Sequence, residues 1–210
     1  MMIDGIIFDL DGTLWDSTPE VAIAYSKVVE EQYPEITDTV TEEKLKGLFG
    51  LPLDVIGVKL FQSVSEELAK KAIVDCCNYE EIYLAEHGAR LYEGLEETLK
   101  DLSKKYQLFI VSNCQDGYIQ CFFKANPHLE QYFQDFECHG RTGLPKADNI
   151  RLVAERHGLK HPVYVGDTLG DAKAAKEAGV PFVFARYGFG KVEQYEDVID
   201  SIDELIKKLA

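Results

Sequence analysis

The stretch "IIFDLDGTLWDS", residues 6–17, sets the frame for the whole chain. Ile6, Ile7 and Phe8 form a continuous apolar run of the kind that a strand buried on both faces requires, and the run stops at Asp9. Asp11 follows two residues later, then Gly12 and Thr13. A turn at a strand end needs a single polar residue. Two carboxylic acids so close together imply that each has a task of its own.

The rest of the chain is ordinary for a folded domain. Its 210 residues are 46% hydrophobic and 28% charged, enough to build one large core or a core with a small accessory domain. Thirty-seven acidic against 22 basic side chains give a formal net charge of −15. Such a charge repels nucleic-acid backbones and anionic lipid, so neither is expected as a partner. It also repels a phosphorylated metabolite, which would then need local help from a cation or a lysine. Asp4 interrupts the start too early for a signal peptide, and no apolar run nears the ~18 residues of a membrane span. Cys76, Cys77, Cys114, Cys121 and Cys138 form no C-x-x-C pair. Reduced thiols and a cytoplasmic location are expected.

From about residue 90 the pattern alternates between helix and strand, the signature of βαβ units and a parallel sheet. "GLEETLKDLSKK" precedes "YQLFIVSN"; a helix near "DGYIQCFFKA" precedes "DFECHG". "KADNIRLVAERHG" then leads to "HPVYVGD", and "GDAKAAKEAG" to "VPFVFA", with Gly158 and Gly179 placed to end their helices. Residues 16–88 read as helical, with Pro19 in a first turn and a Ser63–Glu66 capping-box pattern opening a long helix up to Gly88. The expected architecture is α/β: a doubly wound, Rossmann-like parallel sheet from residues 1–15 and 89–210, with an inserted α-helical cap over 16–88.

Ligands of an open parallel sheet bind beyond the carboxyl ends of its strands. The residues at those ends are Asp9, Ser112 with Asn113, and Asp167, while Lys146 opens the helix after "DFECHG". A carboxylate at Asp9 suits nucleophilic attack on phosphorus, and Asp167 offers a hard oxygen ligand for magnesium. Gly12 and Thr13 suit a turn whose N–H groups face phosphate oxygens. Ser112 adds a hydroxyl donor and Lys146 a positive charge. Trp15 reads as hinge packing.

In this order, "FDLDGT", Ser112 in "IVSN", Lys146, and "VGDTLGD" with Asp167 and Asp171 resemble the four motifs of the haloacid dehalogenase-like superfamily, in particular its capped, phosphoglycolate phosphatase-like members. The resemblance spans essentially the whole chain. It implies a magnesium-dependent phosphatase acting on a small phosphorylated metabolite through an aspartyl-phosphate. By the same resemblance Asp9 is nucleophile and metal ligand, and Asp11 is acid/base, with its backbone carbonyl on the metal. Asp167 is a second carboxylate ligand, Asp171 and Thr13 support the shell, and Gly12, Ser112, Asn113 and Lys146 hold phosphate. Two departures matter. Proline precedes the lysine in "GLPKADNI", whereas many capped relatives carry Lys-Pro. Gly50, Leu51 and Pro52 stand where the beta-phosphoglucomutase branch usually has an arginine for a second phosphate, which weakens that alternative. A non-enzymatic alternative, a receiver-like phosphorylation switch, fits poorly with an insertion of this length and with an acid on the first strand. A monomer or weak homodimer is expected.

Overall fold

A computed structural model describes residues 3–209. Strand β1 (Gly5–Phe8) leads through the Asp9–Leu14 turn into β2 (Trp15–Asp16). Four helices follow: α1 (Thr18–Gln32), α2 (Glu42–Lys46), α3 (Leu53–Leu60) and α4 (Glu66–His87). The chain then returns through β3 (Arg90–Leu91) to α5 (Leu95–Leu102) and β4 (Gln107–Ser112). Helices α6 (Tyr118–Ala125) and α7 (Pro127–Glu130) precede β5 (Phe133–Cys138); α8 (His139–Thr142) and α9 (Lys146–Arg156) precede β6 (Pro162–Gly166). Helix α10 (Leu169–Ala178), β7 (Phe182–Ala185), β8 (Asp197–Ile199) and α11 (Glu204–Lys208) complete it.

The main sheet is parallel throughout, in the order β5-β4-β1-β6-β7-β8. Strand β1 lies between β4 and β6, so successive crossovers run outward from it in opposite directions. That reversal creates a crevice at the carboxyl ends of the central strands. Alternation along each strand explains the two-sided core. Ile6 and Phe8 join Leu108 and Ile110 in one apolar cluster, while Ile7 joins Phe109 and Val111 in another, against α9 and α10. Because Phe8 is in register with Ile110 and Val165, the residues following β1, β4 and β6 emerge at one level.

Helices α1 to α4 occupy the interval between β2 and β3. Their polar and apolar faces sort as the helical period demands: Val21, Ala24, Tyr25 and Val28 of α1 are buried, as are Ala69, Ala72, Ile73 and Cys76 of α4. Two local expectations need correction. The interval beginning at residue 16 is not purely helical, since Trp15–Asp16 pairs antiparallel with Arg90–Leu91. Asp16, almost fully buried, accepts from Arg90 Nη2 at 2.8 Å and from Thr18 Oγ1 at 2.5 Å, which ties the outgoing and returning strands together. Nor does Ser63 cap α4. Its hydroxyl donates to Asp38 Oδ2 and accepts from Thr37 N, so Ser65 takes the cap position and accepts from Leu68 N at 3.3 Å. All five cysteines are free thiols, and no described helix is long and apolar enough to cross a membrane.

The burial pattern predicts that Ile110→Ala, in a central strand, lowers unfolding free energy in urea by about 2–5 kcal/mol. The exposed Ile23→Ala should stay within about 0.5 kcal/mol of wild type. Similar losses from both would contradict the placement of the core.

Candidate active site

The crevice gathers Asp9, Asp11, Ser112, Asn113, Lys146, Asp167 and Asp171 around the ends of β1, β4 and β6. Asp9 directly follows β1, with its N–H held by the Val165 carbonyl at 2.8 Å. One oxygen from each of Asp9, Asp167 and Asp171 lies within 4.8 Å of the others. Lys146 reaches this group from the first residue of α9. The reversed proline-lysine order does not prevent it: Pro145 occupies the cap position and Lys146, 5% exposed, points inward. Its Nζ lies 2.6 Å from Asp171 Oδ1 and 3.0 Å from Asp9 Oδ1.

These acids are not equivalent. Burial, then the Asp171 charge, pushes the Asp9 carboxyl up to about 7. Burial and the charges of Asp171 and Asp9 raise Asp167 well above the usual carboxylate range. Asp171 is held below that range despite burial, because the Lys146 charge and hydrogen bonds from Lys146 and Thr168 favour its ionised form. Thr168 and Asp171 also form a reciprocal capping box at the start of α10, so both Asp171 oxygens are occupied. Asp171 is thus an anchor for Lys146.

The residues fit a hard divalent cation. One lysine cannot balance three carboxylates, and Asp9 Oδ1, although near Lys146 Nζ, has no hydrogen bond of acceptable geometry. The Asp11 carbonyl accepts no backbone hydrogen bond among the described residues. Carboxylate and carbonyl oxygens are the donors that magnesium takes.

Asp11 points elsewhere. Its Oδ1 accepts from Ser17 Oγ at 2.7 Å, Tyr118 OH at 2.8 Å and Trp15 Nε1 at 2.9 Å. Burial outweighs these bonds and raises its pKa to about 6. All three donors converge on one oxygen, so Oδ2 remains available for a proton. Trp15 is therefore more than packing: fully buried, it also orients Asp11.

The turn differs from the expected anion nest. Gly12 N donates to the Trp15 carbonyl and Thr13 N to the Leu10 carbonyl, which closes the turn on itself. The N–H groups of Leu10 and Asp11 donate to no backbone carbonyl among the described residues. Gly12 is required for another reason. At φ +79° it lies so close to Asp167 that a Cβ would meet Oδ2 at 2.3 Å. Thr13 Oγ1 and Phe189 N donate to Asp167, at 3.4 and 2.7 Å. The Phe189 contact comes from a loop after β7 that sequence patterning did not single out.

Next to the acids is a cavity of about 50 Å³, lined by Ser112, Asn113 and Gln115 and by Tyr25, Leu51 and Glu80. Asn113 Nδ2 donates to the Gly50 carbonyl at 2.9 Å, which links the core to the α2–α3 connection. Glu80, on α4 and only 2% exposed, accepts from Tyr25 OH at 3.2 Å and Gln115 Nε2 at 3.1 Å. Burial, with the Asp11 charge second, pushes its carboxyl up to about 8. No sequence signal marked Glu80 or Tyr118, because each acquires its meaning from a neighbour distant along the chain; Ser17 lies only six residues from Asp11 and was passed over.

Comparison with known proteins shows the family and the fold. A family model described as haloacid dehalogenase-like hydrolase matches residues 6–185. The phosphoglycolate phosphatase of Vibrio parahaemolyticus is 29% identical over 98% of this chain and 95% of its own, and that of Escherichia coli K12 is 29% identical over 99% and 92%. In fold, the chain is similar to a haloacid dehalogenase-like family hydrolase from Streptococcus pneumoniae, with a TM-score of 0.86 at 23% identity, covering 99% of both chains.

Removing the lysine charge with Lys146→Met leaves buried carboxylates uncompensated and should cost about 3–5 kcal/mol of unfolding free energy in urea at pH 7. An unchanged midpoint would contradict the charge balance described. Glu80 gives a second test. Folded, it keeps its proton up to about pH 8, whereas unfolded it loses it near 4.5. The native state therefore binds the extra proton between those values, and stability falls as pH rises through that window. Urea titrations from pH 5 to 8 should show a shallower fall in Glu80→Gln, by up to about 1.4 kcal/mol per pH unit.

Proposed function

The chain belongs to the haloacid dehalogenase-like hydrolases, and from that premise we propose that it is a magnesium-dependent phosphatase that hydrolyses a small phosphomonoester through an aspartyl-phosphate on Asp9. The observation that carries this reading is the division of labour between the two acids after β1. Asp9 faces Lys146, Asp167 and Asp171, whereas Asp11 is held apart by Trp15, Ser17 and Tyr118.

Asp9, Asp167 and the Asp11 carbonyl would hold the magnesium, whose charge offsets the repulsion between a carboxylate and the phosphate oxygens. In the first half-reaction an Asp9 oxygen forms a bond to phosphorus as the bond to the ester oxygen breaks. The Asp11 carboxyl, protonated on the oxygen its three donors leave free, gives that proton to the departing alkoxide. In the second, Asp11 takes a proton from water as the water oxygen attacks phosphorus, and the bond to Asp9 breaks to release inorganic phosphate. Lys146 orients Asp9 and stabilises charge on the transferring group, Ser112 and Asn113 flank the phosphate, and the Asp11 N–H group supplements them.

The division proposed is a core of residues 1–15 and 89–210 and a lid of residues 16–88. The space of about 50 Å³ is far below the ~300 Å³ at the lower end of ligand pockets, which favours a small leaving group and a lid that opens for its entry. Among the described residues no arginine lines that space to hold a second phosphate, which argues against phosphomutase activity. Free thiols and a net charge of −15 support a cytoplasmic protein acting on soluble metabolites.

Asp9→Asn should reduce release of phosphate from 4-nitrophenyl phosphate by at least about 10³-fold. Chelation of magnesium should abolish turnover in the wild type. Turnover that persists in the variant, or that is indifferent to chelator, would refute the mechanism.

A further inference from the structure

The loop that follows β7 touches the buried acids with its backbone and the helical insertion with a side chain. Residues 188–190 read Gly-Phe-Gly, and both glycines sit against Asp167. A Cβ at Gly188 would meet Asp167 Cβ at 2.3 Å and the Gly12 carbonyl at 2.4 Å, and one at Gly190 would meet the Asp167 carbonyl at 2.4 Å. Between them, Phe189 N donates to Asp167 Oδ2 at 2.7 Å, against 3.4 Å for the Thr13 hydroxyl on Oδ1. The loop backbone thus supplies the shorter of the two hydrogen bonds that aim this carboxylate.

The Phe189 side chain meets the insertion. Its ring lies edge-on to that of Phe49 in the α2–α3 connection, with centroids 6.2 Å apart and planes at 66°, a favourable aromatic arrangement. The Lys46 ammonium, at the end of α2, lies over the same ring at 5.9 Å from its centroid and is 3.4 Å from Oδ2 of the buried Asp16 in β2. The ring quadrupole attracts that cation. Phe49 and Phe189 are both half-buried, so trimming either ring costs less than emptying a core position.

Resting on the reading above of residues 16–88 as a lid and of Asp167 as a magnesium ligand, we propose that Phe189 is a positioning residue that couples the two. Contact of Phe49 and Lys46 with its ring fixes the loop, and the N–H of the same residue fixes the Asp167 carboxylate. Opening the lid withdraws both partners and leaves a residue flanked by glycines, the most conformationally free of neighbours, so Asp167 loses its shorter hydrogen bond. Donors that orient a metal ligand set the affinity for the metal. By reciprocity, magnesium at Asp167 favours the closed lid by the same factor. The metal is then held most tightly when the lid is shut over a substrate.

The test is a double-mutant cycle on Phe49→Ala and Phe189→Ala, which keep every backbone donor, read by calorimetric titration with magnesium alone. Each single variant should weaken magnesium binding about fivefold or more. The double variant should stay within about twofold of the weaker single, whereas independent effects would multiply to about 25-fold. Phe49→Tyr, which keeps the ring, should bind as wild type does, and so should Ile23→Ala on the exposed face of the lid. With 4-nitrophenyl phosphate, the rate lost in the single variants at limiting magnesium should return as magnesium is raised; a merely structural role would lower it at every concentration. Unchanged magnesium affinity in either single variant with wild-type circular dichroism overturns the inference, as do multiplicative losses in the double variant. Should Phe189→Ala lose that circular dichroism, Phe189→Leu takes its place under the same criteria. Failure of the phosphatase reading is distinct: the wild type would release no phosphate, while the magnesium cycle would still decide the coupling. A wild type that binds no magnesium overturns both.

Discussion

A single lysine ammonium held among three buried carboxylates is the constraint around which this molecule is arranged. Asp9, Asp167 and Asp171 come from two strand ends and a helix, and burying three like charges together opposes folding. Lys146 offsets part of that cost through contacts of 2.6 and 3.0 Å. It can do so only because α9 begins at the right height above the sheet, with Pro145 setting the backbone before the first turn. Burial and the remaining imbalance keep Asp9 and Asp167 above their ordinary range, and a divalent cation among their oxygens would relieve the imbalance.

The surrounding structure keeps the second acid out of this electrostatic arrangement. Asp11 is two residues from Asp9, yet its side chain is fixed by an indole and a hydroxyl from the segment just after it and a phenol from α6. Ser17 and Tyr118 also bond to each other at 2.9 Å, so the donors form a network that locks one carboxylate oxygen. Two acids of the same type thereby acquire different neighbours. Separation by environment, at a spacing of two residues, is what general acid chemistry beside a nucleophile requires.

Much of this was legible in the chain because the central strands are buried on both faces. Continuous apolar runs such as residues 6–8 and 108–111 announce themselves, and the polar residue that ends each run marks the crevice. The ribbon of Trp15–Asp16 with Arg90–Leu91 did not show, since two residues per strand are too few for any period. Ser63 carried the capping-box pattern, and lost the position to Ser65 because Asp38 and Thr37, some 25 residues away, engage its hydroxyl. Glu80 was invisible for a similar reason. In a 22-residue helix rich in acids, partners such as Tyr25 and Gln115 distinguish it from the solvated Glu86. Patterning reports which face an element buries, and says little about which distant partner a polar group will meet.

The pairing of Trp15–Asp16 with Arg90–Leu91 has a topological consequence. The chain leaves the sheet and comes back at adjacent points, so everything between them is a single excursion whose ends stand about 5 Å apart. The closure entropy of such an excursion grows only as the logarithm of its length. The strands beneath are consequently insensitive to how long it is or what it contains. A different set of helices could be grafted onto the same stem without moving the carboxylates, a modularity that lets one catalytic base be matched with many recognition surfaces.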